Sequence, residues 1–238
     1  MSLITSRGSE SAESIKREKL SVKDEYIVLT TDEAIQLRIL GKEEYVGYMS
    51  HGSFTHSIFT QPCPDPDARD CEYCKASNAG HEEFHDLKLR QRFTFAFVDL
   101  GEKRIKLLDV SKNQAKKLLS SIEEYEDILG EMPFTLRRIG KGTDTAYSLS
   151  PIIKAKAPVM DAFKEFDGEE VPLSFFSDRL EAKVSTGNFK IKLLSEAGFP
   201  RKSLDRLFGE EVVESALTVT DTADKVEKLS ENELDDIV

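Results

Sequence analysis

Cys71 and Cys74 form a C-x2-C knuckle, and Cys63 stands eight residues ahead of Cys71. All three cysteines and all four histidines of the chain fall between His51 and His85. Zn²⁺ takes four thiolate or imidazole donors in a tetrahedron, and a C-x2-C turn can deliver two sulfurs to one ion. Cys63, Cys71 and Cys74 leave one place for a histidine. His51 and His56 lie upstream, His81 and His85 downstream. A thioredoxin-like redox pair needs only two cysteines, and the third cysteine beside four imidazoles argues against it. Ordinary buried thiols are the plain alternative. The first reading is a structural Cys₃His centre with Zn²⁺ as cofactor.

A second motif overlaps the first. His81-Glu82-Glu83-Phe84-His85 matches H-E-x-x-H, which on a helix sets two imidazoles on one face with Glu82 as general base of a metallopeptidase. Gly80 and the strand at Arg92 leave room for a short helix only, and no later histidine offers a third ligand. The zinc-deaminase order is not met either, because Pro62-Cys63 precedes the histidine pair and no C-x2-C follows it. The reading is therefore of a protein that is not an enzyme, with no catalytic residues.

Positioning these groups requires a scaffold. Arg92-Phe93-Thr94-Phe95-Ala96-Phe97-Val98 alternates strictly and reads as a strand. A turn at Leu100 to Lys103 leads to a second strand, Arg104 to Val110. Ser111 then caps a helix to about Leu129, with Ala115, Leu118, Leu119, Ile122 and Tyr125 at helical spacing. Gly130 and Pro133 end it. Strands follow at Phe134 to Ile139 and Ala146 to Ser150, joined by a loop at Gly140 to Thr145. The order suggests an α+β chain, mainly β with helices. An OB-like antiparallel barrel with an inserted helix fits it. The expected layout is a flexible arm over 1–23 and a domain over 24–157 holding a zinc subdomain at 51–85. A helical extension over 158–209 and a disordered acidic tail over 210–238 complete it.

Basic and aromatic residues interleave on this scaffold. Arg90 and Arg92 flank the phenylalanine strand, facing away from Phe93, Phe95 and Phe97. Arg137, Arg138 and Lys141 lie on the next hairpin near Tyr147. Single strands are bound by charge that tracks phosphates and rings that stack on bases. A solvated basic face with a structural Tyr147 is the plain alternative. Gly140-Lys141-Gly142-Thr143 lacks the G-x4-G-K-[ST] spacing of an NTPase loop.

The overall charge points the other way at first. The 238 residues carry 33 basic and 44 acidic side chains, a net of −11. That sign opposes a protein that grips phosphates. Position changes the picture. Glu210 to Val238 holds ten acids and two bases, a net of −8, whereas Asp86 to Lys156 holds 14 bases and ten acids, a net of +4. The acidity is concentrated in one segment, as in interaction tails. Its Ala, Thr, Ser, Asp and Glu, with few aromatics, predict disorder. No apolar run of about 18 residues occurs, so no membrane span is expected. The N-terminus shows no signal peptide, and a cytoplasmic location is the expectation.

A histidine, then Cys63, Cys71 and Cys74, then a barrel with Arg137-Arg138-Ile139-Gly140-Lys141-Gly142-Thr143-Asp144-Thr145-Ala146-Tyr147, then a separate acidic tail, resembles the zinc-bearing single-stranded-DNA-binding proteins of tailed bacteriophages. The resemblance covers roughly Tyr45 to Ser150 and the tail. It implies an OB fold with a zinc subdomain, a host-cytoplasmic setting and binding of single-stranded DNA without strong sequence preference. It places the metal histidine at His51. Arg90, Arg92, Arg137, Arg138 and Lys141 would meet phosphates, and Tyr45, Tyr48 or Tyr147 would stack on bases. The tail tip, Leu234-Asp235-Asp236-Ile237-Val238, would recruit replication, recombination and repair proteins. Lys16-Arg17-Glu18-Lys19-Leu20-Ser21 loosely matches the family's basic N-terminal motif for self-association on DNA. The competing reading is a zinc-containing transcription or replication adaptor that acts through protein contacts.

Overall fold

A computed structural model describes residues 22–218. The arm before Val22 and the tail tip at Leu234, Asp235, Asp236, Ile237 and Val238 lie outside the described residues. Seven strands form one antiparallel sheet: β1 (Ala34–Ile39), β2 (Tyr45–Ser53), β3 (Ile58–Pro62), β4 (Arg90–Asp99), β5 (Arg104–Ser111), β6 (Phe134–Ile139) and β7 (Ala146–Pro151). Eight α-helices accompany them among the described residues: α1 (Val22–Glu25), α2 (Glu72–Ser77), α3 (Lys112–Glu124), α4 (Ala157–Glu165), α5 (Leu173–Ala182), α6 (Gly187–Glu196), α7 (Arg201–Phe208) and α8 (Glu210–Leu217).

Strand β4 organises the sheet. Along one edge its first half pairs with β2, from Tyr45 opposite Phe95 to Ser50 opposite Arg90. The same edge then pairs with β1, from Ile39 opposite Phe97 to Leu37 opposite Asp99. Ala96 N–H donates to the Glu44 carbonyl at 2.9 Å in the corner between them. So β1 and β2 act as one strand bent at residues 40–44. The other edge of β4 carries β5, and the path continues through β1 to β6 and β7.

The strands expected at Arg92, Arg104, Phe134 and Ala146 are all present. The expected barrel is corrected, because the sheet is not closed: strand pairing ends at β3, β5 and β7 among the described residues. The helix that the sequence inserts before β6 explains this. Its capping box is complete, with Ser111 Oγ accepting from the Gln114 amide and Gln114 Oε1 accepting from Ser111 N–H. The Gln114 side-chain amide then donates to the Thr145 carbonyl at the head of β7, at 3.0 Å. α3 thus packs along β7 where a closing strand would run. Gly140 makes the β6–β7 turn at φ +79, where a Cβ would stand 2.5 Å from the Asp144 carbonyl oxygen.

One core lies inside the sheet: Leu37, Ile39, Phe95, Phe97, Phe134 and Leu136 meet Ala115, Leu118 and Ile122 of α3. The opposite face of β4 and β5 is covered too. Ala96 and Leu107 pack on Tyr26 and Phe176, and Val98 packs on Ala162 and Phe163. Thr94, on that same face, is therefore buried. α4 and α5 supply that cover, and α6 to α8 fold back onto the cysteine-bearing segment. A disordered tail from residue 210 is corrected at its start: Glu210–Leu217 is helical, with Val213 and Ala216 fully buried against α6 and α7. The Val212-Val213 and Ala216-Leu217 pairs give that acidic stretch an apolar helical face. No described helix is long and apolar enough to cross a membrane.

Candidate functional site

His51 on β2, Cys63 just after β3, and Cys71 and Cys74 at the start of α2 converge. Their donor atoms all lie within 4.8 Å of one another, and all four residues are buried. The sulfur of Cys63 lies 3.7 Å from that of Cys71 and 3.9 Å from that of Cys74. His51 Nε2 lies 3.3 Å from the sulfurs of both Cys71 and Cys74. A disulfide needs about 2.05 Å between sulfurs, so these are separate thiols. A tetrahedral ion with metal–sulfur bonds of about 2.3 Å sets sulfurs about 3.8 Å apart. The donor set fits a metal ion on chemistry and on spacing.

The neighbours fit as well. His51 Nδ1 sits 2.5 Å from the Leu87 carbonyl oxygen, so it carries the proton and leaves Nε2 as the donor. The Cys74 amide donates to Cys71 sulfur at 3.4 Å, which favours a thiolate there. Burial pushes the Cys71 thiol up, but the hydrogen bonds with His51 and the Cys74 amide outweigh it and bring it to about 7. Burial pushes the Cys63 and Cys74 thiols up. Three such thiols cannot all ionise together without a compensating cation. A bound divalent ion would supply one.

The other three histidines have different work. His81 pairs with Ser203 Oγ of α7 at 2.9 Å and meets the Phe199 ring edge-on. His56 stacks on Phe84 and pairs with Ser53 Oγ. His85 is exposed. The H-E-x-x-H segment forms a 3₁₀ turn, Glu82–Leu87, with His81 as its cap. Three residues per turn do not align positions four apart. Among the described residues, His81 and His85 join no metal-ligand cluster.

Beside the cysteine hairpin a cleft of about 590 Å³ opens between β2–β3, the sheet and the start of α3. Arg90, Arg92, Lys112, Arg138 and Lys183 border it against a single carboxylate, Asp109. Phe54, at the hairpin tip, and Phe59 border it as well, and Phe54 is 58% exposed. Tyr147 lies at its edge, half-buried.

The residues singled out in the sequence divide. Arg90 is exposed on the cleft. Arg92 Nε donates to Asp109 at 3.0 Å. Arg138 is buried at 1% exposure, donating to the Leu29 carbonyl and Thr145 Oγ1, so it ties chain segments together. Tyr48 donates its hydroxyl to Asp109 at 2.7 Å, and burial first, then Asp109, raise that phenol. Tyr45 stacks on Phe95 at 5.0 Å as part of the core. Arg137 and Lys141 are exposed but do not border the cleft, and Arg137 donates to the Asp32 carbonyl.

Asp109 is the anion that organises this wall. Burial alone would raise its carboxyl, but Arg92 and Lys183, with Tyr48, hold it down to about 2. Phe54, Phe59, Asp109 and Lys183 were not singled out by sequence reasoning. Phe54 had a signal in its setting, an aromatic in a Gly-Ser-Phe-Thr-His turn three residues after His51. No protein-family model and no curated protein matches the chain.

Proposed function

We propose that the chain is a sequence-tolerant single-stranded-DNA-binding protein for DNA replication, recombination and repair, and that the cleft is its binding surface. The cleft carries the reading: five cations against one carboxylate, with an exposed aromatic at its rim. Charge of one sign along low-dielectric walls attracts a polyanion, and Phe54 offers a stacking face to any base. Counting β1 and β2 as one bent strand and leaving β3 aside, the order of β4, β5, α3, β6 and β7 is compatible with an OB-like sheet. In that reading β4 and β5 would be the strands that such folds use for oligonucleotides.

His51, Cys63, Cys71 and Cys74 would hold a zinc ion. With four protein donors the site is closed to substrate, so the ion would act as a cross-link. What it fixes is the β2–β3 hairpin, and with it Phe54. The acidic segment ending at Val238 is proposed to recruit partner proteins. A fluorescence titration with oligo-dT at two salt concentrations tests the reading. Binding that weakens steeply with salt is the expected result, and absence of binding at low salt rejects it.

A further inference from the structure

Asp109 on β5 accepts hydrogen bonds from three separate stretches of chain. Tyr48 on β2 donates at 2.7 Å, Arg92 on β4 at 3.0 Å, and Lys183, which closes α5, at 3.1 Å. Lys183 Nζ also lies 3.5 Å from the centre of the Tyr26 ring, a cation–π contact. Two residues on, Ser185 N–H donates to the Gln61 side chain of β3 at 3.1 Å. Residues 183–185 thus touch the sheet at one end and the hairpin at the other. Arg92, Asp109, Lys183 and Ser185 all border the cleft.

Arg92 and Lys183 share one carboxylate, so the group has one surplus positive charge. Its members are only 14–15% exposed. Charges so placed are less screened by water and salt than surface lysines. Arg92 reaches Oδ1, while Tyr48 and Lys183 share Oδ2. One cation balances the charge of Asp109, and the second is surplus.

We propose that Lys183, delivered by the C-terminal helices, presents this surplus positive charge to a phosphodiester of the bound strand, while Asp109 sets how much of it the strand feels. The inference rests on the reading of the cleft as a single-strand site. It makes the helices after β7 part of that site.

Salt titrations of oligo-dT binding to the full chain test it, using the wild type, Lys183→Met, Asp109→Asn and the double variant. Lys183→Met keeps the apolar stem and removes the charge. Its affinity falls severalfold, and the slope of log K against log salt shrinks by about 0.7, the value per charge for single strands. Asp109→Asn leaves both cations without their anion, so binding tightens and the slope steepens by about 0.7. The double variant has the original surplus and returns close to the wild type. If Asp109 and Lys183 only hold the fold together, both single variants weaken binding, and that overturns the proposal. Should Lys183→Met fail to fold, Asp109→Asn alone decides, because the two views give it opposite signs. Absence of wild-type binding overturns the functional reading and this inference together. Wild-type binding with unmoved slopes in the variants overturns this inference alone.

Discussion

The Nδ1 atom of His51 lies 2.5 Å from the carbonyl oxygen of Leu87, and that contact decides which ring nitrogen faces the cysteines. Leu87 ends the same 3₁₀ turn that carries His85, so the turn orients a ligand without supplying one. His51→Ala should abolish stoichiometric metal retention. His81→Ala should keep one ion per chain and lose only the tie to Ser203 of α7 and the edge-on contact with Phe199. Metal content by plasma mass spectrometry after gel filtration checks both. Metal lost equally in the two variants would contradict the ligand assignment.

Removing the ion should loosen two parts of the molecule together. Cys63, Cys71 and Cys74 share one apolar cluster with Ile191, Leu194 and Leu204 of the C-terminal helices. Structural metal binding is folding free energy. Chelation should therefore lower the melting temperature by about 10 °C or more. It should also raise hydrogen exchange in α6 and α8 as well as in the hairpin. Exchange confined to the hairpin would show that the cluster is not cooperative.

Phosphate and base contacts should separate by variant. Arg90→Ala and Lys112→Ala, on the cleft, should each weaken oligo-dT binding and reduce its salt slope by about 0.7. Arg137→Ala and Lys141→Ala, outside it, should change neither. Phe54→Ala should cost about 1–3 kcal/mol with the slope unchanged, as loss of one stacked base does. Fluorescence titration at three salt concentrations reads all five.

Acid should release the clamp on Asp109. A carboxyl held at about 2 in the fold, against about 3.9 in the unfolded chain, stabilises the fold fully above pH 4. That contribution is lost as pH falls through 2, and it is on the order of 2 kcal/mol. Asp109→Asn should therefore be less stable than the wild type at pH 7, with the difference closing between pH 4 and pH 2. Urea unfolding across that range measures it. A difference that stays constant with pH would mean that Asp109 is not clamped.

Much of the scaffold was legible in the sequence because local pattern and tertiary role agree. The phenylalanine strand and α3 carry clean periods of two and 3.6, and each buries the face that its period marks, with α4 and α5 burying the other face of the strand as well. The cysteine spacing pointed to a cluster able to hold a metal, but the choice among four histidines came from the resemblance, which pointed to His51, and the fold brings that residue to the cluster. Other features depended on distant chain. Arg138 reads as an exposed cation, yet it is neighbour to Leu29 and Thr145 in the fold. Arg92 and Tyr48 read as ligand-facing, yet Asp109 takes their donors, and nothing near it in sequence signals that. α4 to α8 are short, and only the described contacts show that they cover one face of the sheet and the cysteine hairpin.

The shared cluster under α2 also sets an order of events during synthesis. Cys74 leaves the ribosome about 125 residues before Phe199, which packs against Phe84 in the same cluster. At about 5–20 residues per second, the delay is roughly 6–25 s. For that interval the three thiols and His51 are complete as a donor set but not yet covered. An ion held by these donors would therefore be captured by a nascent chain, with the C-terminal helices closing over it later.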